Sequence, residues 1–237
     1  MVVVTQELES LGLTGRSIIP IELRADNLES RIYEKLTNAG LTIDCELIEG
    51  MMVIGSDEDF KLARLQLNRL KAADKFAVLF NIDHATAHEL SADLKFNVNK
   101  YGRIKNVLAA SGTHLSSFRL GDGGLSLNNA GAIELFSRRR RQLPKQFGAT
   151  EINPYSGEGL AIIVVNSDAE PFVRKGRNVF HGFTTACDPW LRPGEACLIC
   201  SESGELIGHG VSQCTANEVS VMKKGVAVKT RDGIKLE

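Results

Sequence analysis

The spacing of apolar and polar residues predicts a small α+β domain over residues 1–80. An apolar residue at every third or fourth position predicts a helix over residues 26–40, and the same spacing predicts a second helix from Ser56. Short apolar runs predict a strand at residues 17–24 and two further strands on either side of a hairpin turn at Glu49-Gly50. The predicted order is therefore β-α-β-β-α.

Residues 81–141 show a different pattern, which predicts an antiparallel meander followed by a helix. Three alternating runs are separated by turn signals at residues 99–102 and 111–112. A glycine-rich turn at residues 121–124 leads into a short strand and then into a helix that begins near Asn128 and ends in four arginines.

The last third of the chain is rich in short strands. Residues 142–158 contain prolines and glycines with little periodicity, so we predict a linker there. Apolar or alternating runs separated by turns predict a compact β-barrel over residues 159–237. The expected fold class is α+β, with a small N-terminal α+β domain, an antiparallel α+β middle domain and a C-terminal β-barrel.

Charge is distributed unevenly along the chain. The net charge of the whole is −1, but residues 1–80 carry −4, residues 81–150 carry +5 and residues 151–237 carry −2. Because each cation that neutralises a phosphate releases a counterion, a local block of positive charge favours binding of a polyanion such as nucleic acid.

Composition makes a membrane or disulfide-stabilised protein unexpected. The longest apolar runs are far shorter than the ~20 residues that span a bilayer, and the N-terminus has no signal-peptide pattern. Five cysteines in a chain with an ordinary apolar content are typical of reduced thiols. We therefore expect a cytoplasmic protein.

Four ordered sequence elements in residues 159–237 resemble a PUA domain, a small RNA-binding barrel. The resemblance implies a short helix at Val173–Phe180 and a "DP-x-x-RPG-E" turn over Asp188–Glu195. It also includes Gly208 and Gly210 in an "x-G-x-G" strand, and a closing "KG-x-AVK" at Lys224–Lys229.

Residues 102–135 resemble the domain that precedes PUA in archaeosine tRNA-guanine transglycosylases. Ser116-Ser117-Phe118 and Gly121 depart from that pattern. The residues that match it are Leu115, Arg119, Asp122, Gly123, Leu127, Gly131 and Ala132.

The catalytic part of those enzymes is a (β/α)₈ barrel with two aspartates and a zinc held by three cysteines and a histidine. Such a barrel takes ~250 residues, and this chain has 237 in total. The resemblance therefore implies the tRNA-binding end of such an enzyme without its catalytic end. We expect a non-catalytic subunit, or stand-alone relative, that positions tRNA for modification by a separate catalytic chain, with no cofactor. The alternative is a PUA-containing translation or ribosome-associated factor.

The segment EPFVRKGRNVFHGF at residues 170–183 interleaves phenylalanines with cations. In related PUA domains this region faces the acceptor stem and CCA end of tRNA. The resemblance implies that Phe172 stacks on a base, that Gly176 allows close approach of the backbone, and that Arg174, Lys175 and Arg177 contact phosphates. We expect Phe180 and Phe183 to lie in the barrel core.

Further cations are candidates for phosphate contact. Arg138, Arg139, Arg140 and Arg141 lie between two regions that resemble tRNA-binding domains, although a solvated helix end also accounts for such a run. Weaker candidates lie on the meander, namely Lys95, Lys100, Arg103 and Lys105.

Two pairs of potential metal ligands occur in the chain, but ordinary secondary structure accounts better for the spacing of each. Cys197 and Cys200 form a C-x-x-C within an apolar predicted strand, where an odd spacing sends the two thiols to opposite faces. His84 and His88 share one face of a possible helix but lack the H-E-x-x-H order of a zinc protease, so we predict a surface helix. We expect no metal and no catalytic residues.

Overall fold

The computed structural model forms two compact units, residues 1–68 and 69–237, and describes residues 45–48, 51–54, 57–138 and 161–235. In the first unit, strands β1 (Cys45–Ile48) and β2 (Met51–Ile54) pair antiparallel, with Ile48 opposite Met51. This pairing confirms the predicted hairpin. The strand predicted at residues 17–24 and the helix predicted at 26–40 lie outside the described residues.

Two helices precede the meander. Helix α1 (Asp57–Phe80) begins one residue after Ser56, from which the second helix was predicted. Helix α2 (His84–Ser91) is capped by Asp83, whose carboxylate accepts hydrogen bonds from the backbone N–H and the hydroxyl of Thr86, at 2.8 and 2.7 Å. His84 and His88 are exposed on this helix, which confirms the predicted surface helix.

The predicted meander is confirmed as a four-stranded antiparallel sheet. Its strands pair in chain order and are β3 (Lys95–Val98), β4 (Ile104–Leu108), β5 (His114–Phe118) and β6 (Leu125–Leu127). Helix α3 (Asn129–Ser137) follows, and the side chain of its cap, Asn128, accepts a hydrogen bond from the N–H of Gly131 at 2.9 Å.

Helix α3 ends before the arginine run, so the prediction that the helix includes the four arginines is wrong. Ser137 donates its hydroxyl to the carbonyl of Glu134 at 2.7 Å, and Arg138 adopts a non-helical conformation as the C-cap. A serine that bonds to a carbonyl of the preceding turn competes with the helical backbone pattern. Arg139, Arg140 and Arg141, and the predicted linker at residues 142–158, lie outside the described residues.

The C-terminal strands form one six-stranded sheet, in the spatial order β8-β12-β11-β10-β7-β9. Among these described strands, only the β7–β10 pair is parallel. Edge strands β8 and β9 are joined through just three residues, 181–183, so the two edges of the sheet must approach each other. The sheet therefore curls into a near-barrel, as predicted. Its strands are β7 (Ile162–Val165), β8 (Val179–Phe180), β9 (Thr184–Cys187), β10 (Ala196–Ser201), β11 (Leu206–Ser212) and β12 (Val226–Gly233).

Two short helices accompany this sheet, α4 (Glu170–Val173) and α5 (Ala216–Val221). The helix expected over Val173–Phe180 is wrong in its position, because α4 ends where that helix was to begin. Gly176 has a φ of +77°, which interrupts a helix, and Val179–Phe180 pairs with β12 as strand β8.

Strands β7 and β10 are buried on both faces. Ile162 and Val164 of β7 belong to a shared core with helix α1 and the meander, whereas Ile163 and Val165 belong to an inner core within the near-barrel. Strand β10 alternates in the same way, which places Cys200 in the shared core and Cys197 in the inner core. The predicted opposite orientation of the two thiols is confirmed.

Gly210 lies where β11 and β12 approach most closely. A Cβ at this position would be 2.4 Å from the carbonyl oxygen of Lys229, a backbone atom that cannot move without disturbing the β11–β12 ladder. We therefore expect Gly210→Ala to lower the free energy of unfolding by ~1–3 kcal/mol in urea denaturation. Gly121→Ala is the matched control, since a Cβ there meets nothing within 4 Å. Equal stabilities of the two variants would contradict this account.

Candidate nucleic-acid interface

The turn that carries the "DP-x-x-RPG-E" pattern joins the near-barrel to the rest of the second unit. The indole N–H of Trp190 donates to the carbonyl of Leu79 at 3.2 Å, and Nη2 of Arg192 donates to the carbonyl of Val78 at 3.1 Å. From the meander, Nη2 of Arg119 donates to the carbonyl of Gly194 at 2.6 Å. The polar groups of this turn are thus engaged within the protein.

A second junction lies between helix α3 and the near-barrel. The side chain of Asn129 accepts from Nε2 of His209 at 3.0 Å and donates to Oδ2 of Asp232 at 2.8 Å. Burial lowers the pKa of His209, although the negative charge of Asp232 acts in the opposite direction. The imidazole that donates through Nε2 is therefore neutral. These polar residues therefore stabilise packing rather than offering donors to a ligand.

The end of helix α4 and the loop after it present an aromatic ring and two cations to solvent. The carbonyl of Phe172 accepts hydrogen bonds from the N–H groups of both Lys175 and Arg177, at 3.1 and 3.0 Å, which closes a tight loop. The side chain of Phe172 is 61% exposed, and Lys175 and Arg177 are exposed beside it. Nothing lies within 4 Å of a Cβ built on Gly176, so a ligand can approach the backbone at this point.

Arg174 is oriented differently from its neighbours. Its Nη2 donates to the carboxylates of Glu170 at 2.7 Å and Glu205 at 2.6 Å, and its Nη1 donates to the carbonyl of Ile234 at 3.1 Å. The charge of Arg174 is therefore already matched within the protein. The predicted phosphate contact remains a prediction, but the geometry favours a structural role for this residue.

Phe180 and Phe183 are not in the core, so that prediction is wrong. Their side chains are 46% and 41% exposed. Strand β8 is a two-residue edge strand in which Val179 faces the inner core, so the next residue, Phe180, must face outward. Phe183 follows in a single 3₁₀ turn.

The exposed phenylalanines lie beside a second basic segment that the sequence pattern did not predict. Phe180 pairs with Val226 at the start of β12, and the N–H of His181 donates to the carbonyl of Gly225 at 3.1 Å. This pairing brings the exposed Lys223 and Lys224 next to Phe180 and Phe183. The two lysines are visible in the sequence as the "KKG" that precedes β12. Only the register between β8 and β12 shows that they lie next to the exposed phenylalanines.

The other predicted cations lie elsewhere. Arg103 and Lys105 are exposed on the meander, and Arg138 pairs with Glu134 at 3.1 Å at the end of helix α3. None of the contacts recorded among the described residues links these three side chains to the loop after α4.

The described part of the chain gives no geometric support for a metal site. Within it, no group of three or more His, Cys, Asp or Glu side chains is placed to hold an ion. Burial raises the pKa of the Cys197 thiol, which keeps it protonated at neutral pH. None of the helices in the described ranges is long and apolar enough to cross a membrane.

Comparison with known proteins identifies the C-terminal region. The profile of the PUA domain family matches residues 161–234, which contain the whole near-barrel sheet. This region is a PUA domain. The loop after α4, the exposed β8 edge and the "RPG" turn all belong to it.

Curated relatives extend the likeness beyond the PUA domain. The chain is 34% identical over 148 residues to tRNA-guanine(15) transglycosylase of Pyrococcus furiosus, which covers 62% of this chain and 22% of the relative. It is 35% identical over 135 residues to the enzyme of the same name from Methanocaldococcus jannaschii, covering 57% and 18%. The chain is therefore homologous to the C-terminal region of these enzymes over ~60% of its length, and it spans about a fifth of theirs.

Solved structures show a weaker likeness. A hypothetical protein from Pyrococcus horikoshii OT3 aligns over 70% of this chain and 90% of its own, with a TM-score of 0.49 and 14% identity.

The different environments of the cations in this loop lead to a prediction. Arg174→Ala should lower the free energy of unfolding by ~1–2 kcal/mol, because it removes charge-assisted hydrogen bonds to two carboxylates. It should leave the salt dependence of RNA binding unchanged. The double variant Lys175→Ala/Arg177→Ala should show the reverse, with the slope of log K against log salt reduced by ~1.4–1.8 units and stability retained. A reduced slope for Arg174→Ala would show that its guanidinium also contacts phosphate.

Proposed function

We propose that the chain binds tRNA through its PUA domain and positions it for base modification by a separate transglycosylase chain. The observation that carries the proposal is the end of helix α4 with the loop after it. There an exposed aromatic ring and two exposed cations lie on a tightly closed backbone, in a domain homologous to part of tRNA-modifying enzymes. An unpaired base and its phosphate need this combination of groups.

The surface extends along one edge of the PUA domain. From Phe172, Lys175 and Arg177 it continues to the exposed Phe180 and Phe183, and then to Lys223 and Lys224. Aromatic rings alternating with cations suit a single-stranded segment, because every base has a face that can stack and every linkage has a charge to neutralise. We assign this surface to the unpaired CCA end of tRNA, next to the acceptor stem. Arg138 and its neighbours Arg139, Arg140 and Arg141 remain predicted phosphate contacts.

The accessory role is supported by what the likeness covers. The matched stretch is the C-terminal region of the transglycosylases and amounts to about a fifth of each. This likeness supports a tRNA-binding role for the matched stretch, and the base exchange is the part of the proposal that the experiment below tests.

Phe172 tests the binding surface. Replacing it with Ala should weaken tRNA binding by ~1–3 kcal/mol through loss of stacking, and it should leave the melting temperature unchanged because the ring is 61% exposed. Val173→Ala is the matched control, since this neighbouring side chain is buried in the inner core. It should lower the melting temperature while the folded fraction binds normally. Unchanged tRNA affinity of the Phe172 variant would refute the surface.

Base exchange tests the accessory role. With this chain alone, guanine release from tRNA should not be detected. Added to a transglycosylase truncated before its C-terminal region, the chain should restore exchange mainly by lowering KM for tRNA, and Phe172→Ala should restore less. Base exchange by this chain alone would reject the accessory role. The absence of any effect on the truncated enzyme would also reject it and would favour a translation or ribosome-associated factor.

A further inference from the structure

The solvent-facing side of the four-stranded sheet carries a continuous row of neutral polar side chains. Strand pairing places Asn97 opposite Asn106, Asn106 opposite Ser117, and Ser117 opposite Ser126, so the row crosses all four strands. The neighbouring row points the other way, into the shared core, and consists of Phe96, Val107, Ser116 and Leu127. With strands ~4.8 Å apart, the polar row is about 14 Å long.

This sheet is basic and contains no carboxylate. Residues 94–121 include five Lys and Arg and no Asp or Glu, and one of the five, Arg119, pairs with Asp122 in the turn before β6 at 3.1 Å. Lys95 lies on the same face as Asn97, two residues along β3. Its Nζ donates to the carbonyl of Ala110 at 2.7 Å, a neutral partner that leaves the charge of Lys95 unmatched. Lys105 is the extra residue of a bulge, since Asn97 pairs with Asn106 whereas Val98 pairs with Ile104, and its side chain is exposed.

A hydrogen-bond chain fixes the orientation of the Asn106 amide. Nε2 of His114 must donate to the carbonyl of Ser116 at 2.9 Å, because a carbonyl can only accept. The same nitrogen faces the hydroxyl of Ser117 at 3.0 Å, which in turn donates to Oδ1 of Asn106 at 3.0 Å. Nδ2 of Asn106 is thereby left pointing away from the chain of bonds.

The free donors lie next to the cations. Among the described residues, neither Nδ2 of Asn106 nor any side-chain atom of Asn97 has a recorded hydrogen-bond partner. A ligand of this face therefore has to offer negative charges to the lysines. Between those charges it has to offer neutral groups that can both donate and accept hydrogen bonds with the asparagine amides. An RNA backbone offers phosphates and 2′-hydroxyls, whereas DNA offers phosphates alone. An acidic protein would match the cations but would not need an uncharged polar row.

We propose that this sheet face binds the backbone of an RNA duplex, with Lys95 and Lys105 contacting phosphates and Asn97 and Asn106 hydrogen-bonding to 2′-hydroxyls. The proposal rests on the tRNA-binding function above and extends it from the unpaired end to the adjoining helical stem.

The test compares blunt-ended RNA and DNA duplexes of the same sequence, which offer no unpaired end to the PUA domain. Asn97→Ala/Asn106→Ala should weaken binding to the RNA duplex about fivefold or more and leave binding to the DNA duplex unchanged. Lys95→Ala/Lys105→Ala is the matched variant and should weaken both duplexes, with a salt slope lower by ~1.8 units. Melting temperatures should stay close to that of the wild type, because Asn97, Lys95 and Lys105 are exposed and the half-buried Asn106 loses a single hydrogen bond, from Ser117.

Two results would overturn the proposal. One is an equal effect of the asparagine variant on RNA and DNA. The other is failure of the folded wild-type chain to bind the RNA duplex, which would leave the face to a protein partner. Phe172→Ala, measured on the same blunt duplex, should have no effect. Normal binding of unpaired RNA by Phe172→Ala would refute the PUA surface. If Asn97→Ala/Asn106→Ala still weakens binding to the RNA duplex, the proposal for the sheet face is unaffected by that result.

Discussion

The burial of β7 and β10 on both faces is the constraint on which the second unit depends. Alternate residues of this parallel pair enter two different cores, so Ile162 packs toward helix α1 and the meander while Ile163 packs inside the near-barrel. A strand buried on both sides shows a continuous apolar run rather than alternation, as in IIVV and ACLICS. Separating the PUA domain from the meander would expose one whole face of this pair. The loop after α4 and the sheet face of β3–β6 are therefore held in one structure.

The sequence elements that identify the PUA domain mostly encode this packing. Trp190 and Arg192 direct polar groups to backbone carbonyls of helix α1, and Arg119, from the pattern of the preceding domain, donates in return to the carbonyl of Gly194. Gly210 and Gly233 are required because a Cβ at either would lie under 2.5 Å from a carbonyl oxygen of an adjacent segment. Motif recognition thus establishes the fold, and the proposed ligand contacts come from the exposed rings and cations, of which Lys175 and Lys224 lie within the motif elements and Phe172 lies beside them.

The sequence was sufficient where a local pattern determines the structure. Alternation predicted the meander, and the odd spacing of Cys197 and Cys200 predicted their separation between two cores. The sequence was insufficient where the environment of a side chain depends on a residue far away in the chain. Arg174 looks like Lys175 in sequence, but Glu205, 31 residues away, occupies its guanidinium. Phe180 looked like core because a two-residue edge strand shows no periodicity, and the polar row on the meander emerges only from the register between strands.

The two surfaces reconcile a net charge of −1 with a polyanionic ligand. At physiological ionic strength charges are screened over ~8 Å, so a nucleic acid responds to the groups it touches rather than to the sum over the chain. Near the loop after α4, Glu170 and Glu205 both pair with Arg174, and the meander has no carboxylate from residue 94 to 121. The surfaces also differ in chemistry. Phe172 with Lys175 and Arg177 suits a base that is free to stack, whereas uncharged amides between lysines suit a backbone whose bases are already paired. The end of a tRNA acceptor arm presents both kinds of target side by side, which is why we propose it as the ligand of both surfaces.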